Sequence, residues 1–171
     1  MIKDMIKLSV FLTIACVIAA AALSITYVAT ESRIQQQKKA ELNIALSNEC
    51  IPGSASIEEK KDYFIGFDKK HRKLGYAFRV SPKGYGGTID MVVGIDLKGR
   101  VAGVKIISMK ETPGLGMNAS ESRFLKQFMG KTSGSPLKAK KDIDAITGAT
   151  ITSQAVADGV KQALIKYRSL R

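Results

Sequence analysis

From Leu8 to Thr30 the chain runs LSVFLTIACVIAAAALSITYVAT, 23 residues without a charge. As a helix this run is about 34 Å long at roughly 1.5 Å per residue, enough to cross the hydrocarbon core of a bilayer. A cleaved signal peptide is the competing reading, but its apolar core is shorter, about 7–15 residues, and ends at a small-residue cleavage site. A lipoprotein signal acylated at Cys16 fits less well, because the apolar stretch continues well past that cysteine. Lys3 and Lys7 precede the run and Arg33, Lys38 and Lys39 follow it, so charge alone does not orient the helix.

The rest of a 171-residue chain has room for one domain and little more. The sequence divides into a tail over residues 1–7, a transmembrane helix over 8–30, a juxtamembrane stalk or linker over 31–52 and a domain over 53–171. Residues 31–46, ESRIQQQKKAELNIAL, favour helix by propensity, with Ile34, Ala45 and Leu46 as a thin apolar pattern, although a flexible linker fits the same residues. Pro52 and Gly53 break that pattern.

Beyond them, four β-rich runs at Tyr63–Phe67, Leu74–Val80, Ile89–Ile95 and Val101–Met109 alternate with turn signals. Their spacing is that of hairpins and not of βαβ crossovers. Two helices follow, a short one near Ser120–Met129 and a terminal one from Ser153 to Arg168. In the terminal one Ala155, Val156, Val160, Ala163, Leu164 and Tyr167 form one apolar face. The expected fold is α+β: one N-terminal transmembrane helix, then an antiparallel sheet packed against helices.

The net charge of +12 lies almost wholly beyond the apolar run and admits anionic lipid, acidic protein or nucleic acid as partners. Nucleic-acid binding would need a recognised fold or aromatic stacking positions among the basic residues, and neither is present. The clusters Lys69-Lys70-His71-Arg72-Lys73 and Lys138, Lys140, Lys141 read as solvated surface, and Glu58-Glu59-Lys60-Lys61 as an exposed helix or loop. His71, the only histidine, falls at an expected hairpin tip and is assigned no function. Cys16 and Cys50 have neither disulfide nor metal-site spacing, so no metal is expected. An independent reductase lacks support, because neither a GxGxxG fingerprint nor a GxxxxGK[ST] phosphate loop occurs.

Two segments carry chemistry. The run Asp144-Ala145-Ile146-Thr147-Gly148-Ala149-Thr150-Ile151-Thr152-Ser153 places small and hydroxyl residues directly before a helix N-terminus. Free N–H groups and the positive end of the helix dipole suit a phosphate there, and Gly and Ala let it approach the backbone. The plainer reading is that Thr152 or Ser153 caps the helix and Gly148 turns the chain. The second segment, Glu111-Thr112-Pro113-Gly114-Leu115-Gly116, is by itself an ordinary turn.

Together, and in this order, the two segments resemble the family comprising the G subunit of Rnf electron-transport complexes and the C subunit of the sodium-pumping NADH:quinone reductase. The family pattern is Asp, two residues, Ser or Thr, Gly-Ala-Thr, one residue, Thr; Asp144, Thr147, Gly148, Ala149, Thr150 and Thr152 fill it. Gly84-Tyr85-Gly86-Gly87 and the stretch from Phe124 to Lys131 extend the resemblance, which covers roughly Leu74–Tyr167 and the N-terminal anchor. Many members carry a histidine just before the second segment, where this chain has Met109-Lys110.

The resemblance implies one FMN joined through its phosphate to the Thr152 hydroxyl, with Thr147, Gly148, Ala149 and Thr150 beside it. It also implies that Glu111, Thr112, Gly114, Leu115 and Gly116 lie against the flavin. A threonine hydroxyl is a weak nucleophile unless a base activates it, and no residue beside Thr152 in sequence supplies one. Attachment by a separate flavin transferase, as in the family, fits that chemistry. The implied role is electron relay, without catalytic residues of its own, among the other subunits of an Rnf-type complex that couples ferredoxin and NAD chemistry to ion transport. The implied location is the inner membrane, with a single span in lipid and the domain on the extracytoplasmic side. The alternative is a membrane-tethered scaffold domain that carries no flavin.

Overall fold

The computed structural model describes residues 2–170, giving the backbone alone at residues 2, 4, 32, 35, 36, 38–41 and 45. Met1 and Arg171, at the outer edges of the expected tail and domain, lie outside the described residues, as do the side chains of Lys38, Lys39 and Ala45. The chain forms two compact units, residues 1–41 and residues 42–171.

A single helix, α1 (Ile2–Ala45), forms the first unit and supplies the opening residues of the second. Its apolar stretch Met5–Glu31 reaches a mean hydropathy of 2.5 over an 18-residue window and is long enough to cross a membrane. Within that stretch the helix itself satisfies the hydroxyls of its threonines. The hydroxyls of Thr13, Thr26 and Thr30 donate to the carbonyls of Ser9, Ala22 and Thr26 at 2.8, 2.9 and 2.7 Å. In lipid, where water cannot serve as partner, such back-bonding is what makes a hydroxyl tolerable.

In the second unit five strands, β1 (Ser56–Glu59), β2 (Tyr63–Phe67), β3 (Lys73–Val80), β4 (Ile89–Asp96) and β5 (Val101–Met109), pair antiparallel in sequence order. Two helices follow, α2 (Ser122–Leu125) and α3 (Thr150–Ser169). One face of the sheet, with Phe78, Met91, Val93 and Ile95, is covered by α2 and by the apolar side of α3 at Val156, Val160 and Leu164. The other face, with Phe64, Ala77 and Val92, is covered by Leu42, Leu46, Cys50 and Ile51. Burial on both sides explains why β4 reads as a nearly continuous apolar run.

The cover on the second face depends on a pair of glycines. Gly94 and Gly103 sit opposite one another in β4 and β5. A Cβ at Gly94 would fall on the Cys50 carbonyl oxygen, and one at Gly103 on that of Glu49. The backbone of the Leu46–Cys50 turn therefore lies directly on the sheet. Cys50 is fully buried beneath it, with its thiol 3.7 Å from the Val92 carbonyl oxygen. Burial, with the Glu49 carboxylate adding to it, pushes this thiol up to about 12. Since the thiolate is the reactive form, Cys50 should resist maleimide at neutral pH until the domain unfolds. Rapid labelling of the folded protein would contradict this packing.

Three elements differ from expectation. Glu58-Glu59 belong to a short strand, β1, at the sheet edge, where charged side chains discourage further pairing. The short helix expected near Ser120–Met129 breaks into α2 between two 3-10 turns, Gly116–Ser120 and Lys126–Phe128. The terminal helix starts at Thr150, three residues before the expected Ser153, because Gly148 takes φ +75° and turns the chain early.

A loop on the way to α3 is held by one carboxylate. Asp142 accepts from the Leu137 and Lys138 N–H groups at 3.2 and 2.8 Å and from Lys131 Nζ at 3.0 Å. Desolvation raises this carboxyl, but the two N–H groups and Lys131 outweigh it and hold it below its usual range. A group depressed in the folded state stabilises above its unfolded value, and that stabilisation is lost as pH falls through the folded one. Hydrogen-exchange protection at Leu137 and Lys138 should therefore be lost only as pH falls below the usual carboxylate range. In Asp142→Asn it should already be lost at neutral pH; unchanged exchange there would mean that the carboxylate does not hold the loop.

Candidate functional site

At the N-terminus of α3 the first N–H groups have no intrahelical acceptor, and Ala149, which caps the helix, provides no side-chain bond. Ser153 is occupied with local structure: its hydroxyl donates to the Ala149 carbonyl at 2.9 Å and accepts the Ile146 N–H at 3.0 Å. Thr152 does something different. Its hydroxyl, on a residue only 1 % exposed, donates to Glu111 Oε2 at 2.8 Å, reaching a segment 41 residues away. Capping therefore does not account for Thr152.

Glu111 itself is 8 % exposed, and two glycines make room for its carboxylate. Its Oε1 accepts the Gly86 N–H at 3.1 Å. A Cβ at Gly84 would collide with Oε1, and one at Gly116 would stand 2.6 Å from Oε2 and 3.0 Å from the Thr152 hydroxyl oxygen. The carboxylate thus ties together the β3–β4 loop, the segment after β5 and the first turn of α3. Among the described residues no lysine or arginine forms an ion pair with it.

These three segments line a cleft of about 570 Å³ formed by Tyr85, Glu111, Thr112, Leu115, Gly116, Gly148, Ala149, Thr150, Ile151 and Thr152. Eight of those ten are expected from sequence. Gly114 stands outside the lining; it turns the segment at φ +74°, and its carbonyl accepts from Asn118 Nδ2 at 3.1 Å. Thr147 lines an adjoining cleft instead, together with Asp144, Phe124 and Gln127. The two lining residues added by the structure, Tyr85 and Ile151, are bulky yet 73 % and 60 % exposed, and Leu115 beside them is 43 % exposed. An apolar rim above a helix N-terminus suits a ligand with a flat ring and an anionic tail. The volume falls within the range of about 300–1,000 Å³ usual for cofactor sites.

Residues 84–165 match the FMN-binding domain family, and residues 1–48 match the RnfG N-terminal region. The chain is 34 % identical to the G subunit of the proton-translocating ferredoxin:NAD(+) oxidoreductase complex of Clostridium ljungdahlii, over 96 % of this chain and 95 % of that one. It belongs to the G-subunit family of Rnf complexes. A second member, the G subunit of the Na(+)-translocating ferredoxin:NAD(+) oxidoreductase complex of Acetobacterium woodii, is 32 % identical over 98 % of this chain and 94 % of its own.

Among solved structures, the Rnf G fold is similar to the C subunit of the Na(+)-translocating NADH-quinone reductase from Parabacteroides distasonis. That match has a TM-score of 0.51 at 25 % identity and covers 62 % of this chain and 60 % of that one. NqrC of Shewanella oneidensis shares the fold with a TM-score of 0.52 at 17 % identity, over 75 % and 77 % of the two chains.

Proposed function

We propose that this Rnf G protein is a single-pass membrane protein that relays electrons through one FMN held by a phosphoester to Thr152. The observation that carries the reading is the Thr152 hydroxyl, set in the cleft wall at a helix N-terminus and engaged by no local cap. Bound FMN would supply the electron chemistry, taking electrons from one carrier of the complex and passing them to another.

The chain's own part is placement. The first-turn N–H groups of α3 would hold the phosphate, Gly148 and Ala149 would allow it close, and Thr112, Gly116, Leu115, Tyr85 and Ile151, which line the same cleft, would border the ring. The ester fixes only the phosphate end, so packing at that rim sets the ring's polarity and exposure, and with them its potential. The partners are the other subunits of the complex, the surrounding lipid, and the flavin transferase needed once for maturation. Residues 8–30 cross the inner membrane, and the domain stands on the extracytoplasmic side.

The test is whether colour survives denaturation. Protein isolated from its native membrane should keep flavin fluorescence on a denaturing gel, and a Thr152→Ala chain should show none. A dark native band would favour the flavin-free scaffold.

A further inference from the structure

The sequence near Thr152 offers no base, yet the fold delivers one. We infer that Glu111 is the general base of this protein's own flavin attachment, accepting the Thr152 proton as the ester forms. The inference rests on the reading of Thr152 as the attachment point.

Three observations support it. The hydroxyl already donates to Glu111 Oε2 at 2.8 Å, the heavy-atom distance that proton transfer requires. The carboxylate is aimed by the Gly86 N–H on its other oxygen, and no cation among the described residues competes for its charge. Gly116 packs beside the pair without a side chain, since any Cβ there would stand 2.6 Å from Oε2 and 3.0 Å from the hydroxyl oxygen and would wedge the two groups apart. A base and an aimed nucleophile therefore meet at one atom.

The balance fixes the class of donor. FMN itself is a phosphate monoester, and joining it to a hydroxyl would require expulsion of water. A flavin dinucleotide carries the same phosphorus as a phosphoanhydride with a good leaving group. Thr152 Oγ attacks the flavin-side phosphorus, the Oγ–P bond forms, and the bridging P–O bond breaks. AMP departs with the bonding pair while the hydroxyl proton passes to Glu111 Oε2. The transferase then has to present the dinucleotide, and the acceptor protein supplies the base. Once protonated, Glu111 is neutral and can donate to the new phosphodiester, which removes a like-charge clash.

The test uses the full-length chain in detergent with purified flavin transferase and flavin dinucleotide, following FMN incorporation by intact mass. Glu111→Gln keeps the shape and an acceptor oxygen for the hydroxyl but cannot take its proton. Its kcat as acceptor should fall about 100-fold or more, with the KM for the acceptor unchanged. A residue that only shaped the docking surface would raise KM instead. A Glu111→Gln chain modified within about twofold of the native rate, or a loss confined to KM, would overturn the inference. Should that variant fail to fold, Glu111→Ala assayed with added formate decides: a rate rising with formate supports the base, and an indifferent rate overturns it. If the native chain takes up flavin, Thr152→Ala does not, and Glu111→Gln matches native, the base alone is wrong. If the native chain gains no flavin, the attachment reading falls and the inference falls with it.

Discussion

A Thr152→Ala chain is expected to fold and yet carry no covalent flavin at all. The substitution deletes the hydroxyl on which the proposed ester forms, and the next hydroxyl along the helix is not free to replace it. Ser153 is fully buried, with its hydroxyl committed to Ala149 and Ile146. The stability change should be modest by comparison: one buried hydroxyl–carboxylate bond is lost and Glu111 keeps only the Gly86 N–H, at a cost of about 1–3 kcal/mol. Two further variants separate hydroxyl chemistry from packing. Thr152→Ser retains the oxygen and should still be flavinylated, whereas Thr152→Val retains the shape and should not. Flavin on the valine variant, measured by fluorescence after denaturation, would place the attachment elsewhere.

The second large effect lies far from the cleft. Gly94→Ala, or Gly103→Ala, should destabilise the domain by more than about 3 kcal/mol, because the added Cβ coincides with a main-chain carbonyl that cannot move alone. Displacing the Cys50 or Glu49 carbonyl lifts the Leu46–Cys50 turn and uncovers Leu46, Cys50 and Ile51, which shield Phe64 and Val92. Glycine in a strand costs roughly 0.5–1 kcal/mol relative to alanine, so a facing pair of them needs such a close approach to be worthwhile. Thermal denaturation should show a loss on the order of 10 °C or more. Gly134→Ala is the control, since its Cβ meets nothing nearer than Thr132 Oγ1 at 3.8 Å. A Gly94→Ala melt equal to that control would mean that the turn does not lie on the sheet as described.

The parts legible in sequence are those with a local cause. The strands β2 to β5 are β-branched or aromatic runs between turn residues, and the expected ends of each fall within a residue of those observed. The apolar face of α3 follows from helical spacing and packs where that spacing directs it. The start of α3 is not legible, because it depends on Gly148 adopting a left-handed conformation, which the residue permits but does not require. Nor is β1, because a two-glutamate segment carries no strand pattern; its place comes from pairing with β2.

The most consequential gap concerns Glu111. Its segment marks it as a flavin contact, but its bond to Thr152 joins residues 41 apart and leaves no mark in either local pattern. Tyr85 and Ile151 are absent from the expected contacts for a similar reason. One stands at a loop tip and the other in the first turn of α3, and only the fold brings both to the same rim.

Esterification of FMN to Thr152 is read out by peptide mapping of the native protein with tandem mass spectrometry. The peptide containing Thr152 should carry the mass of one FMN less one water, with fragment ions assigning it to that residue. An unmodified Thr152 peptide, or the same added mass on Thr150 or Ser153, would contradict it.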